Sequence, residues 1–155
     1  MKNFTISIFK NKTFLEIINE MKFFSKFKIK HYENLDLCIN DGSSKNQITV
    51  FFTDEMGDNF FDQIKLNNFP LILINKSHHQ KNNFSRELIE NLNMPFTIIN
   101  FQKKIVSLLA KYEFKKNSLI ALNDYIIDKN ERKIKKNDIE LQLSEKEISF
   151  LILFS

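Results

Sequence analysis

The sequence predicts an α/β chain in which a parallel sheet, covered by helices on both faces, is followed by a small antiparallel sheet and one capped helix. Three observations lead there. In the first two thirds, short apolar runs alternate with segments of helical spacing, and residues 48–52 are continuously apolar, as befits a strand buried on both faces. In the last third the period shortens to about two, with polar clusters between the apolar residues. Finally, Ser144 stands three residues before Glu147 and ahead of an apolar run, the pattern that caps a helix start.

Taken in order, residues 4–9 form a short β-rich run. Thr13-Phe14-Leu15-Glu16 offers a capping box for a helix carrying Phe14, Ile17, Ile18 and Met21 on one side. Residues 27–32 read as a second strand, whereas residues 34–47, with Asp41-Gly42-Ser43-Ser44, show no clear period and read as a loop with a remnant of helix. A buried strand at 48–52, a short helix at 60–66 and a strand at 70–74 follow. Residues 85–91 fit either state. Residues 100–112 give the strongest helix, with Phe101, Ile105, Leu108, Leu109 and Tyr112 in one stripe. Beyond it, Ile126, Ile134, Ile139, Leu141 and Leu143 supply a buried sheet face, and residues 128–131 and 136–138 supply turns. The helix after Ser144 carries Ile148, Phe150, Leu151, Ile152, Leu153 and Phe154, apolar on nearly every side.

Composition narrows the function. With 155 residues, 43% of them hydrophobic and 17 of them Phe, the chain can bury a core as one domain with a small appendage. The net charge of +4 permits contact with nucleic acid without requiring it. The densest basic run, residues 129–136, has five cations and one acid, and solvated strand edges are commonly built that way. Cys38 is the single cysteine, so no intramolecular disulfide forms, and burial as a small apolar group is its expected role. The amino end lacks the apolar core of a signal peptide, and no stretch reaches membrane-spanning length. A cytoplasmic protein is expected. His78 and His79, together with His31 and Cys38, match no metal-binding spacing, and a chain with two glycines has no Gly-rich phosphate loop. No nucleophile carries a marking motif, so neither an enzyme nor a cofactor is expected.

The segment from Tyr125 to Leu153 resembles the opening of the winged-helix effector domain of OmpR/PhoB-type response regulators. The likeness rests on the strand ending at Asp128, the basic Arg132-Lys133-Ile134, the polar turn, and Leu141-Gln142-Leu143-Ser144-Glu145-Lys146-Glu147 leading into Ile148, Phe150, Leu151 and Leu153. In that family the helix begun at Ser144 is the first of three, and a later one enters the major groove. Here the sequence stops at Ser155. The resemblance therefore implies a fragment or a truncated relative, with DNA as partner of the complete protein and weak or absent binding by these residues, whose DNA-contacting residues stay unknown.

The preceding part resembles a CheY-like receiver, the flavodoxin-like domain that commonly precedes such an effector. Asn93-Met94-Pro95-Phe96 followed by the helix at 100–112 looks like the family's Lys-Pro-Phe and last helix, and Pro70-Leu71-Ile72-Leu73-Ile74-Asn75 looks like its fourth strand. Receivers transfer phosphate to an Asp beside Mg²⁺ held by carboxylates. The family's acidic pair is replaced by Lys10 and Asn11, its hydroxyl residue by Asn75, and its phosphate-pairing Lys by Met94. Asp54 is the phosphoacceptor candidate, with Glu55 and Asp58 as competitors.

The resemblances together imply an atypical response regulator. A degenerate receiver at 1–112 and a linker at 113–118 precede the opening of a truncated winged-helix domain at 119–155. Transcription control through DNA would be the complete protein's function, with the pseudo-receiver as a dimerisation or docking module. A homodimer is expected through residues 85–112, where Glu87 and Glu90 would face Lys103, Lys104 and Lys111 of a second copy. Two alternatives stay open: an interaction module that inhibits or titrates a partner regulator without binding DNA, and metal-dependent phosphotransfer at Asp54.

Overall fold

A computed structural model describes residues 4–44, 46–55, 60, 69–76 and 87–153. The chain divides into two compact units, residues 1–109 and 110–155. In the first, five strands, β1 (Thr5–Phe9), β2 (Lys28–Tyr32), β3 (Gln47–Phe52), β4 (Leu71–Asn75) and β5 (Ile89–Asn93), form a wholly parallel sheet in the order β2-β1-β3-β4-β5. The order reverses between β1 and β3. Sheets of this kind bind ligands outside the carboxyl ends of the strands at such a switch point.

The inner strands β3 and β4 are buried along their whole length and largely apolar on both faces because helices cover both. Ile8, Val50, Phe52, Ile72 and Ile74 face one side, where helix α1 (Lys12–Asn19) sets Phe14 edge-on to Phe52 with ring centroids 5.2 Å apart. Helix α3 (Ile98–Ser118) meets the same cluster through Phe101, 5.1 Å from Phe14, with Ile105, Leu108 and Leu109 buried behind it as the sequence stripe predicts. On the other side Phe9, Phe51, Leu71, Leu73 and Ile89 enclose Cys38 and Ile39.

Those two residues belong to helix α2 (Leu35–Ser44), a full helix where a loop with only a remnant of one is expected. Burial of Cys38 and Ile39 outweighs the poor helix propensity of Asn40, Asp41, Gly42, Ser43 and Ser44. At α1 the cap also differs: Asn11, not Thr13, is the N-cap, its Oδ1 accepting the Phe14 N–H at 2.9 Å. A 3₁₀ turn at Lys22–Lys26, unanticipated, buries Phe24. Of residues 85–91, ambiguous in sequence, 89–91 begin β5, and 85–86 lie outside the described residues. Of the helix expected at 60–66, Phe60 is helical and buried, and 61–66 lie outside the described residues.

In the second unit β6 (Leu119–Leu122), β7 (Tyr125–Asp128), β8 (Lys133–Lys136) and β9 (Ile139–Gln142) make an antiparallel meander, followed by helix α4 (Glu145–Ile152). Register places Ile120, Ile127, Ile134 and Leu141 in one row across the sheet. Ile127, fully buried, is the core residue of β7, whereas Ile126 pairs with Lys135 on the opposite face and is exposed. The period-two reading found the right strand and chose the wrong neighbour. The capping box holds: Ser144 Oγ accepts the Glu147 N–H, and Glu147 Oε2 accepts the Ser144 N–H at 2.8 Å. The Ser144 N–H, and with it the Ser144 hydroxyl, donates to the Glu147 carboxylate and keeps that carboxyl below its ordinary range. The helix from 100–112 continues to Ser118, so the expected linker at 113–118 is helical.

Candidate functional site

At the carboxyl edge of the parallel sheet, the loops after β1, β3, β4 and β5 carry the residues singled out by sequence. Lys10 ends β1 in the left-handed region, with φ 59°, and its N–H donates to Tyr32 at 2.8 Å, which pins the turn. Its exposed ammonium lies 5.2 Å from the Phe9 ring centroid. Asn11 spends its carboxamide oxygen on the α1 cap. Asp54 sits in a 3₁₀ turn, Thr53–Glu55, held to the next strand by the Thr53 hydroxyl, which donates to the Ile74 carbonyl at 3.3 Å. Glu55 shares that turn, and Asp58 lies outside the described residues.

The decisive contact is one that sequence reasoning missed. Asp54 forms a hydrogen-bonded ion pair with Lys76, the residue that follows β4. A lysine at a strand's carboxyl end was the available signal, but nothing in a separation of 22 residues marks it as a partner. Beside it Asn75, buried, donates from Nδ2 to Asn93 Oδ1 at 3.2 Å, while its own Oδ1 has no partner among the described residues. Met94 donates its N–H to the Asn75 carbonyl at 2.8 Å, so the β5 loop is tied to the β4 end by backbone, with the Met94–Pro95 peptide cis.

This donor set does not suit Mg²⁺, which takes hard oxygen ligands and favours carboxylates. Lys10 and Asn11 stand where the resemblance would require an acidic pair, and the Asp54 carboxylate already has an ammonium on it. Among the described residues no three His, Cys, Asp or Glu converge on a metal position. His31 is half-buried with Nδ1 3.8 Å from Glu33, and His78 and His79 lie outside the described residues. Cys38 is sealed in the core, where burial pushes its thiol up to about 12 and keeps it an inert apolar group.

Beside the loops, a cleft of about 490 Å³ opens between α1 and the β5–α3 connection. Phe14, Ile17, Phe52, Met94, Pro95, Phe96 and Ile98 make its walls, with Asn11 and Thr13 at the rim.

No family model matches the sequence, and no curated protein matches it either. Solved structures do. The beryllofluoride-activated NtrC receiver domain aligns over 72% of this chain and 98% of its own, at 13% identity and TM-score 0.50. The fold of the first unit is that of a response-regulator receiver. A RitR C128D mutant aligns over 97% of this chain and 72% of its own, at 10% identity and TM-score 0.57, which extends the likeness across both units. The expected α/β architecture with its appended antiparallel sheet and helix is therefore present. No described helix is long and apolar enough to cross a membrane.

Of two charge clusters, one differs from its sequence reading and the other fits it. Glu90, expected to face a second copy, is buried and accepts from Lys104 at 2.7 Å and from Ser107 at 3.2 Å on its own α3. Glu90 and Lys104 therefore cannot supply the self-complementary charges proposed for a dimer. Four of the five cations in the basic run at 129–136 are paired in place, as on a solvated strand edge: Arg132 pairs with Glu145 at 2.5 Å, Lys133 with Glu131 and Glu140 at 3.4 Å each, Lys136 with Asp124 at 3.5 Å, and Lys135 with Glu140. A phosphate backbone would have to displace those acids.

Proposed function

We propose that this chain is an atypical response regulator whose receiver-like part, residues 1–112, works without the aspartyl-phosphate switch, and whose residues 119–155 open a winged-helix DNA-binding domain joined through 113–118. The Asp54–Lys76 ion pair carries the reading. A phosphoacceptor must present a free carboxylate oxygen to the donor while a cation offsets phosphoryl charge. Here the cation at the carboxylate is a side chain, Lys76, bonded to Oδ2, where the resemblance would require a metal held by carboxylates, and Met94 supplies no counter-charge. The reading includes no enzymatic activity. Regulation of transcription through DNA belongs to the complete protein, and the receiver-like part serves docking or pairing.

The test is intact-mass measurement after incubation with acetyl phosphate and Mg²⁺. The mass is expected to stay unchanged, in Lys76→Ala as well, because the metal side of the site is missing independently of the lysine. A labile phosphate adduct lost in Asp54→Ala would show a working receiver and overturn the reading.

One observation favours the second reading, a module that titrates a partner regulator without touching DNA. Ile139, Leu141, Phe150 and Leu153 are between 60% and 79% exposed, more apolar surface than a small sheet and helix ordinarily leave bare.

A further inference from the structure

We propose that helix α2 is a movable element, which undocks as a unit from a sheet that stays folded, and that the Asp41 carboxylate is the latch that holds it closed. Helix α2 carries none of the residues of the phosphate site, so its motion is independent of the functional reading above.

Three features make the docked state easy to leave. Apolar anchorage is small: Cys38 and Ile39 are buried and Leu35 partly so, while Leu37 is exposed, whereas α3 buries Phe101, Ile105, Leu108 and Leu109. The second half of α2, Asn40-Asp41-Gly42-Ser43-Ser44, consists of poor helix formers. Part of the sheet face that α2 covers is also polar. Ser7 and Thr49 stand two residues before Phe9 and Phe51, hence on the face that Cys38 packs against, and register sets them in one row with Lys30 of β2. Gln47, three residues past the end of α2, donates from Nε2 to Thr49 Oγ1 at 3.4 Å. Ser7, Gln47 and Thr49 are fully buried, yet Ser7 Oγ and Gln47 Oε1 have no partner among the described residues. A buried polar atom without a partner raises the free energy of the closed state, and water admitted by an opening would satisfy both.

Against these features stands one carboxylate. Asp41 Oδ2 accepts from the Tyr32 hydroxyl at 2.5 Å and from the Lys30 ammonium at 2.9 Å, and that ammonium also donates to the Tyr32 oxygen at 3.3 Å. The three side chains close a triangle between α2 and the edge strand β2. Both donors keep their protons: hydrogen bonding to Asp41 holds the Lys30 ammonium above its ordinary range, and burial, with the Asp41 hydrogen bond, does the same for the Tyr32 hydroxyl. Within the helix itself Asp41 is unfavourable, because an acid in the last turn opposes the helix dipole and Asp is a poorer helix former than Ala. Its stabilising effect on α2 therefore comes from the contact with β2.

Cys38 is the single cysteine and lies on the buried face of α2, so its modification by dithiobis(nitrobenzoate) in the full chain reports the opening. The labelling rate is measured against urea at fixed pH, beside global unfolding followed by circular dichroism. At low urea the rate is expected to be nearly independent of urea and faster than global unfolding allows. Asp41→Ala gives the two influences on α2 opposite signs. A better helix former would slow labelling if intrinsic helicity governed the opening, whereas loss of the latch should speed it by about 10-fold or more. Tyr32→Phe keeps the ring and removes one donor, and should speed labelling several-fold. Ser7→Ala removes a buried hydroxyl without a partner from the closed state and should slow it. A urea dependence as steep as that of global unfolding, labelling no faster in Asp41→Ala or in Tyr32→Phe, or labelling no slower in Ser7→Ala would each overturn the proposal.

Discussion

In residues 1–109 the sheet is sealed on both faces, and Ile72, Phe51 and Phe101 reach no solvent at all; in residues 110–155 the sheet has one fully buried apolar residue, Ile127, while Leu141 in the same row is 62% exposed. Both parts have regular hydrogen-bonded strands. What separates them is how much apolar surface their helices cover, since among the described residues one long helix and two short ones serve the first sheet and α4, with Ile148 alone buried, serves the second. Backbone pairing makes a sheet, but burial makes it stable by itself.

The sharpest way to break this comparison is truncation. Residues 1–117 should keep cooperative thermal unfolding and gain solubility, because the first core closes without the meander and the exposed Ile139, Leu141, Phe150 and Leu153 are removed. If circular dichroism shows 1–117 unfolded, the division into an independent core and a dependent appendage fails.

Next in size is a pair of matched substitutions. Ile72→Ala should cost about 2–5 kcal/mol in denaturant unfolding, as for other fully buried aliphatic side chains, while Leu141→Ala should stay within about 0.5 kcal/mol. A large loss at Leu141 would mean that its face is covered in solution, and dilution would then tell whether a second copy covers it.

The smallest effect concerns α4. Ser144→Ala should cost about 0.5–2 kcal/mol of local helix stability, read as faster amide exchange at 145–152. Acid should do the same. Hydrogen bonds from Ser144 lower the folded-state pKa of Glu147 below its ordinary 4.5, so the stabilisation is present above that value and is lost as pH falls through the lowered one. Protection at those amides, taken relative to the intrinsic exchange rate at each pH, should fall on acidification in the wild type and change less in Ser144→Ala.

Much of the architecture was legible because burial leaves a periodic trace. The continuous apolar runs of β3 and β4, the α3 stripe and the Ser144 capping box all appear in the structure at or near their expected places. The misses have physical causes. Helix α2 has a propensity that argues against it and a packing that decides for it, and the packing partners Phe9 and Phe51 are distant in sequence. Thr13 looked like a cap because Thr-x-x-Glu is common, but Asn11 caps equally well and sits where β1 ends. At the site, Lys10, Asn11, Asn75 and Met94 could be placed by order along the chain, whereas Lys76 on Asp54 and Lys104 on Glu90 are contacts between distant elements and leave no local pattern.

The parallel topology also sets a timetable for folding. Thr5 of β1 pairs with Gln47, across a helix, a 3₁₀ turn, a strand and a second helix, whereas Asp128 pairs with Lys133 across a single tight turn. Long loop closures must be completed before such distant pairings contribute, so the better-sealed sheet should be the slower to assemble, and the meander, although poorly covered, should form its hairpins first. Refolding followed by residue-resolved hydrogen exchange would then show early but weak protection at 125–136 and late, strong protection at β1 and β3.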